Sequence, residues 1–130
     1  MRRKIAHITL LVNDYDEAID FYVNKMKFVL VEDTKLDSTK RWVLVSPDAN
    51  GSCNLLLAKA SGDIEELALG NQSGGRVFLF LYTDDFSRDF RNLIDNNINI
   101  VRHPVDQPYG KVAVFEDLYG NQWDLIEPKT

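Results

Sequence analysis

Apolar and polar positions along this chain follow two different periods, and the switches between them mark its elements. "KIAHITLLV", residues 4–12, is rich in β-branched side chains and predicts a strand. "NDYD" ends it. Asn13 reads as a helix N-cap, and Asp14, Asp16 and Glu17 suit the positive end of a helix that starts there. Ile19, Tyr22, Val23 and Met26 then recur at helical spacing and give that helix one apolar face. "FVLVEDT" returns to strand. "KRWVLVS" is a second strand, stopped by Pro47 and the turn cluster "PDANGS", and "CNLLLAKA" is a third.

The order then recurs. "SGDIEELALGNQSGG" is a connector with a helical turn around "DIEELAL". "RVFLFLYT" is a strand and "DDFSRDFRNLIDNN" a helix that Asp84 can cap, with Phe86, Phe90, Leu93, Ile94 and Asn97 on its inner face. "INIVRHPV", "GKVAVFED" and "NQWDLIEP" are three more strands, and "HPVDQPYG" reads as a Pro-rich loop between the first two. Two βαβββ modules therefore lie head to tail in an α+β chain. Their bounds are roughly residues 3–60 and 75–128, with a connector at 61–74, inside a single domain spanning 1–130.

Composition narrows the function classes. A net charge of −5 argues against nucleic acid as a partner, which would need clustered Lys and Arg. The start "MRRKIAHITLLV" fails as a signal peptide because His7 and Thr9 interrupt the apolar run and an acidic stretch follows it. No stretch approaches the ~18 consecutive apolar residues of a membrane span. Cys53 is the only cysteine, so no intrachain disulfide forms, and the expectation is a cytoplasmic protein. There is no phosphate-binding Gly-rich loop, nucleophile elbow or paired-Cys motif.

One residue stands out against its pattern. Asp124 lies between Trp123 and Leu125 in the last strand, where Asp is disfavoured. The turn before it, "DLYGNQ", has Gly120 and Asn121 available for positive φ, and Glu116 and Asp117 are placed to shape it.

The opening "HITLLVNDYDEAIDFYVNKMKF" and the closing "VAVFEDLYGNQWDLIEP" resemble those of the vicinal oxygen chelate superfamily, which includes glyoxalase I, extradiol dioxygenases and the fosfomycin- and bleomycin-resistance proteins. Leu118 stands where that closing pattern commonly has Pro. The resemblance covers nearly the whole chain. It implies modules that curl into a mixed sheet around a cavity, and a homodimer. In metal-dependent members, four inward side chains, two from the first strands and two from the last strands of the modules, hold one divalent ion. Carried over by position, those sites are His7, Phe78, Leu56 and Asp124.

Phe78 and Leu56 cannot ligate a metal. A register slip of one residue would substitute Leu55 or Leu57 and Val77 or Leu79, which cannot either. His7 and Asp124 alone fall short of the three ligands of a catalytic zinc site, although one hard divalent ion with several waters remains an alternative cofactor. The expectation is a module without a metal cofactor that binds a small, partly aromatic or apolar molecule. His7 and Asp124 form its polar or acid–base pair. Asn54, Leu56, Phe78, Phe80 and Tyr82 line the face, Tyr109 sits on a covering loop, and Arg41 reaches an anionic group. Trp42 is expected to pack under a helix. A glyoxalase-type lyase or isomerase with a reduced metal site is the alternative.

Overall fold

A computed structural model describes residues 1–51 and 53–130, so Ser52 of the expected "PDANGS" turn lies outside the described residues. The chain divides into two compact units, Met1–Leu69 and Gly70–Thr130. Each holds one four-stranded sheet and a helix packed on it.

In the first unit β1 (His7–Val12) leads into α1 (Tyr15–Ile19), and β2 (Val29–Lys35), β3 (Arg41–Ser46) and β4 (Asn54–Lys59) follow. The sheet order is β1-β4-β3-β2, with β1 parallel to β4 and the other pairs antiparallel. Leu10, Val12, Val43, Val45, Leu55 and Leu57 form the buried face of β1, β3 and β4. Against them pack Tyr15, Ala18, Phe21, Tyr22 and Met26. The helix is capped by Asp14, whose side chain accepts from the Glu17 N–H, and not by Asn13 as its sequence position indicated. After Ile19 the helix widens into a π-helical stretch, Asp20–Lys25. This stretch turns adjacent Phe21 and Tyr22 both into the core, where their rings meet edge to face 5.0 Å apart. Val23, expected on that face, is only half-buried. A seven-residue helix, α2 (Gly62–Ala68), closes the unit without burying a side chain.

The second unit repeats the plan with β5 (Val77–Tyr82), α3 (Phe86–Asp95), β6 (Ile100–Gln107), β7 (Gly110–Glu116) and β8 (Gln122–Pro128), in the order β5-β8-β7-β6. Leu93, Ala113, Phe115, Trp123 and Leu125 are its core, with Phe115 and Trp123 stacked at 6.0 Å. Asp85, not Asp84, caps α3 by accepting from the Arg88 N–H. Asn97 does not lie on the helix at all. It takes a left-handed φ of 56° just past the helix end, and the Ile98 N–H then reaches back to the Leu93 carbonyl. Ile94, also expected inward, is exposed. The expected Pro-rich loop is instead the second half of β6. Pro104 is tolerated because β6 is an edge strand whose pairing skips from Arg102 to Val105, so no ladder bond asks for its missing N–H.

The last strand is held by a buried turn. Asp117 accepts from the backbone N–H groups of Tyr119 and Asn121, each at 2.9 Å, and from the Asn121 amide at 2.9 Å. Gly120 takes a φ of 101°, as its place in the turn indicated, whereas Asn121 stays at negative φ and serves as the buried partner of Asp117. Gly70 packs so closely that an added Cβ would meet the Tyr119 carbonyl at 1.8 Å. Among the described residues no helix is long and apolar enough to cross a membrane.

Asp117→Ala strands a buried and a part-buried backbone donor and a buried amide, so it should destabilise the protein by about 3 kcal/mol, read as a lower urea midpoint at unchanged slope.

Candidate functional site

Strand alternation gives each sheet a second face, away from its helix. In the first unit this face carries His7, Thr9, Asn54, Leu56, Trp42 and Leu44. The pairings His7 with Asn54, Thr9 with Leu56 and Leu56 with Leu44 set the rows. Asn54 Nδ2 lies within hydrogen-bond distance of His7 Nδ1, at 3.3 Å. Trp42 meets the His7 ring edge to face at 6.0 Å. Trp42 therefore lies on the open face, and Arg41 takes the helix side that its neighbour was expected to take.

Arg41 is committed there. Its guanidinium makes a two-point pair with Asp33, at 3.1 and 2.7 Å, and donates to Asp16 at 2.9 Å. It also lies over the Tyr15 ring, 5.2 Å from the centroid. The hydrogen bond from Arg41 holds the Asp33 carboxyl below the usual carboxylate range. Leu56, Trp42, Tyr15 and Lys59 share a groove of about 650 Å³ in this unit with Leu36 and Ala58.

In the second unit the open face is more apolar. Phe80 pairs with Asp124, Asp124 with Val114 and Val114 with Arg102, giving one row across four strands. Tyr82, Ile126, Val112 and Val105 make the next row. Phe80 is 61% exposed and Tyr82 69% exposed, a large exposed aromatic area on this face. Phe78 is the extra residue of a β5 bulge, since Val77 pairs with Gln122 and Leu79 with Trp123. Tyr109 is exposed in the two-residue turn between β6 and β7, and its carbonyl accepts from the Lys129 N–H. His103 lies exposed on β6.

Asp124 is on this open face, as the alternation of Trp123 and Leu125 into the core requires. Its Oδ1 is buried and has no hydrogen-bond partner. Burial pushes the carboxyl up from its ordinary value, opposed by the positive charge of Arg102. Arg102 is the residue that sequence reading missed. Its only signal was a place in "INIVRHPV", and its row is set by a β6 bulge between Ile100 and Arg102 that no residue pattern marks.

His7 has Asn54 and Trp42 as neighbours, Asp124 has Phe80 and Val114, and among the described residues no three His, Cys, Asp or Glu side chains gather as a metal set.

Comparison with known proteins places these faces in context. The model of the Glyoxalase/Bleomycin resistance protein/Dioxygenase superfamily matches residues 4–125. An uncharacterized protein of Shewanella frigidimarina (strain NCIMB 400) is 59% identical over 128 residues, 98% of this chain and 95% of that one. The crystal structure of UcmS2 matches with a TM-score of 0.84 at 26% identity, covering 98% of this chain and 99% of that one. TnmS3, an antibiotic binding protein from Streptomyces sp. CB03234, matches with a TM-score of 0.79 at 26% identity, covering 98% of each chain.

The raised Asp124 carboxyl has a consequence for stability. Between the unfolded and folded values the folded chain holds a proton that the unfolded chain has released, so stability falls as pH rises through that interval. Asp124→Asn should therefore be more stable than wild type at neutral pH. The gap should close as the pH is lowered through the carboxylate range, measured by urea unfolding at a series of pH values.

Proposed function

Because the chain belongs to the Glyoxalase/Bleomycin resistance protein/Dioxygenase superfamily, we propose that it is a small-molecule binding protein of that group. Its ligand is partly aromatic or apolar and rests on the open face of the second unit. The observation that carries this reading is the exposed aromatic pair Phe80 and Tyr82 on the same face as a carboxylate with an unpartnered buried oxygen. Water-exposed rings of this size offer stacking area, and the desolvated carboxylate rewards a ligand donor more than a solvated one would. The antibiotic binding of TnmS3 supports the same class of ligand. On the first unit, Asn54, Leu56 and Trp42 with His7 offer a second surface of mixed polarity. Arg41 also lines the groove beside them, with its guanidinium already held by Asp33 and Asp16.

Binding of this kind asks nothing of a metal, and the donor sets around His7 and Asp124 are too small to favour the lyase alternative. Titration with a panel of planar aromatic antibiotics, followed by calorimetry, should find at least one that binds wild type. Phe80→Ala should weaken it about tenfold or more, the scale of one lost aromatic contact. Binding by no member of the panel, or undiminished binding to Phe80→Ala, sinks the reading.

The apolar faces left open in a single chain also lead us to propose a homodimer. Sedimentation velocity should give a species near twice 14.9 kDa, and a monomer throughout the micromolar range would count against it.

A further inference from the structure

The open face of the second unit has two adjoining rows. One is Tyr82, Ile126, Val112 and Val105, with no charge in it. The other is Phe80, Asp124, Val114 and Arg102, with an acid and a base on either side of a valine. Asp124 and Arg102 are thus two strands apart, and two strand spacings are about 10 Å. At that separation the backbones do not bring the charges into a direct pair, and no ion pair joins these residues to each other or to any other described residue.

Each charge is left with something to do. Asp124 makes no hydrogen bond, and of its two oxygens only Oδ1 is both buried and unpartnered, so Oδ2 is the oxygen open to the face. Arg102 is exposed on an edge strand and keeps its five guanidinium donors free of ion pairs. Other acidic groups nearby are occupied: Glu116 accepts from the Asn99 amide, and Glu127 from the Phe86 N–H. Between the two charges lies Val114, itself buried, and the exposed apolar surface of the row is the Phe80 ring beside Asp124.

We propose that this row recognises an amphoteric aromatic ligand, with a hydroxyl or N–H donor at one end for Asp124 and a carboxylate or similar anion at the other for Arg102. The inference rests on the aromatic-face reading above and adds the ligand's polarity and direction to it. The ring lies against the exposed Phe80, the donor meets Asp124 Oδ2, and the anion takes the guanidinium fork. A neutral apolar ring would gain only the stacking. The same ligand reversed would set its anion against the Asp124 carboxylate and leave the Arg102 guanidinium without an anion.

Three naphthalenes of matched size test this by fluorescence titration: 6-hydroxy-2-naphthoate, 2-naphthol, which lacks the anion, and 6-methoxy-2-naphthoate, which lacks the donor. Wild type should bind the first about tenfold or more tighter than either of the others, the scale of a charge-assisted hydrogen bond. Arg102→Met should erase the advantage over 2-naphthol and keep that over the methoxy acid. Asp124→Leu, which relieves the unpartnered oxygen and so should fold, should do the opposite. Equal affinity for all three probes overturns the polar address and leaves the aromatic face standing, as does an Arg102→Met variant that weakens all three alike. If none of the three binds to wild type, the aromatic-face reading falls and takes this inference with it.

Discussion

Trp123 and Leu125 have to be buried, and much of the second unit follows from that. Both side chains meet the core, Trp123 stacked on Phe115 and Leu125 beside Ala113. A strand cannot put three consecutive side chains on one face. Asp124 is thereby forced onto the other face, next to Phe80, at the expense of a carboxylate oxygen that finds no donor. Turning it inward would expose an indole and a leucine together, several kcal/mol of lost burial by the usual area scale. The turn centred on Asp117 serves the same end by fixing where β8 begins, and with it which residues face which way.

Much of this was legible in the sequence because the periods are clear. All eight strands and the two principal helices stand where the alternation of β-branched runs and the spacing of Tyr22, Met26, Phe86 and Leu93 put them. The errors cluster where side-chain period says little about backbone path. Asn13 and Asn97 are both good terminal residues, yet one precedes the true cap and the other follows the helix as its left-handed stop. Pro104 fell in both the expected strand and the expected loop because a proline counts against a strand, and an irregular edge strand is the circumstance in which it does not.

The candidate site was legible in part, for a similar reason. Asp124, Phe80 and Tyr82 come from strict alternation and share one face. Arg41 and Trp42 exchanged places because neighbouring residues on a strand differ only in register, and it takes the pairing of Val43 with Leu57 to decide between them. Arg102 was invisible because a bulge resets its row, and a bulge is a backbone event with no side-chain signature.

The two irregular strands, β2 and β6, have a consequence for assembly. Each is an edge of its sheet, β2 with a break in register between Leu30 and Glu32, and β6 with two breaks and Pro104. An edge so interrupted cannot template a newcomer strand over any length, and charges at Glu32, Asp33, Lys35 and Arg102 add to the mismatch. At these two edges the molecule therefore resists runaway cross-β stacking while its faces carry exposed apolar side chains, which keeps stickiness toward ligands separate from polymerisation through β2 and β6.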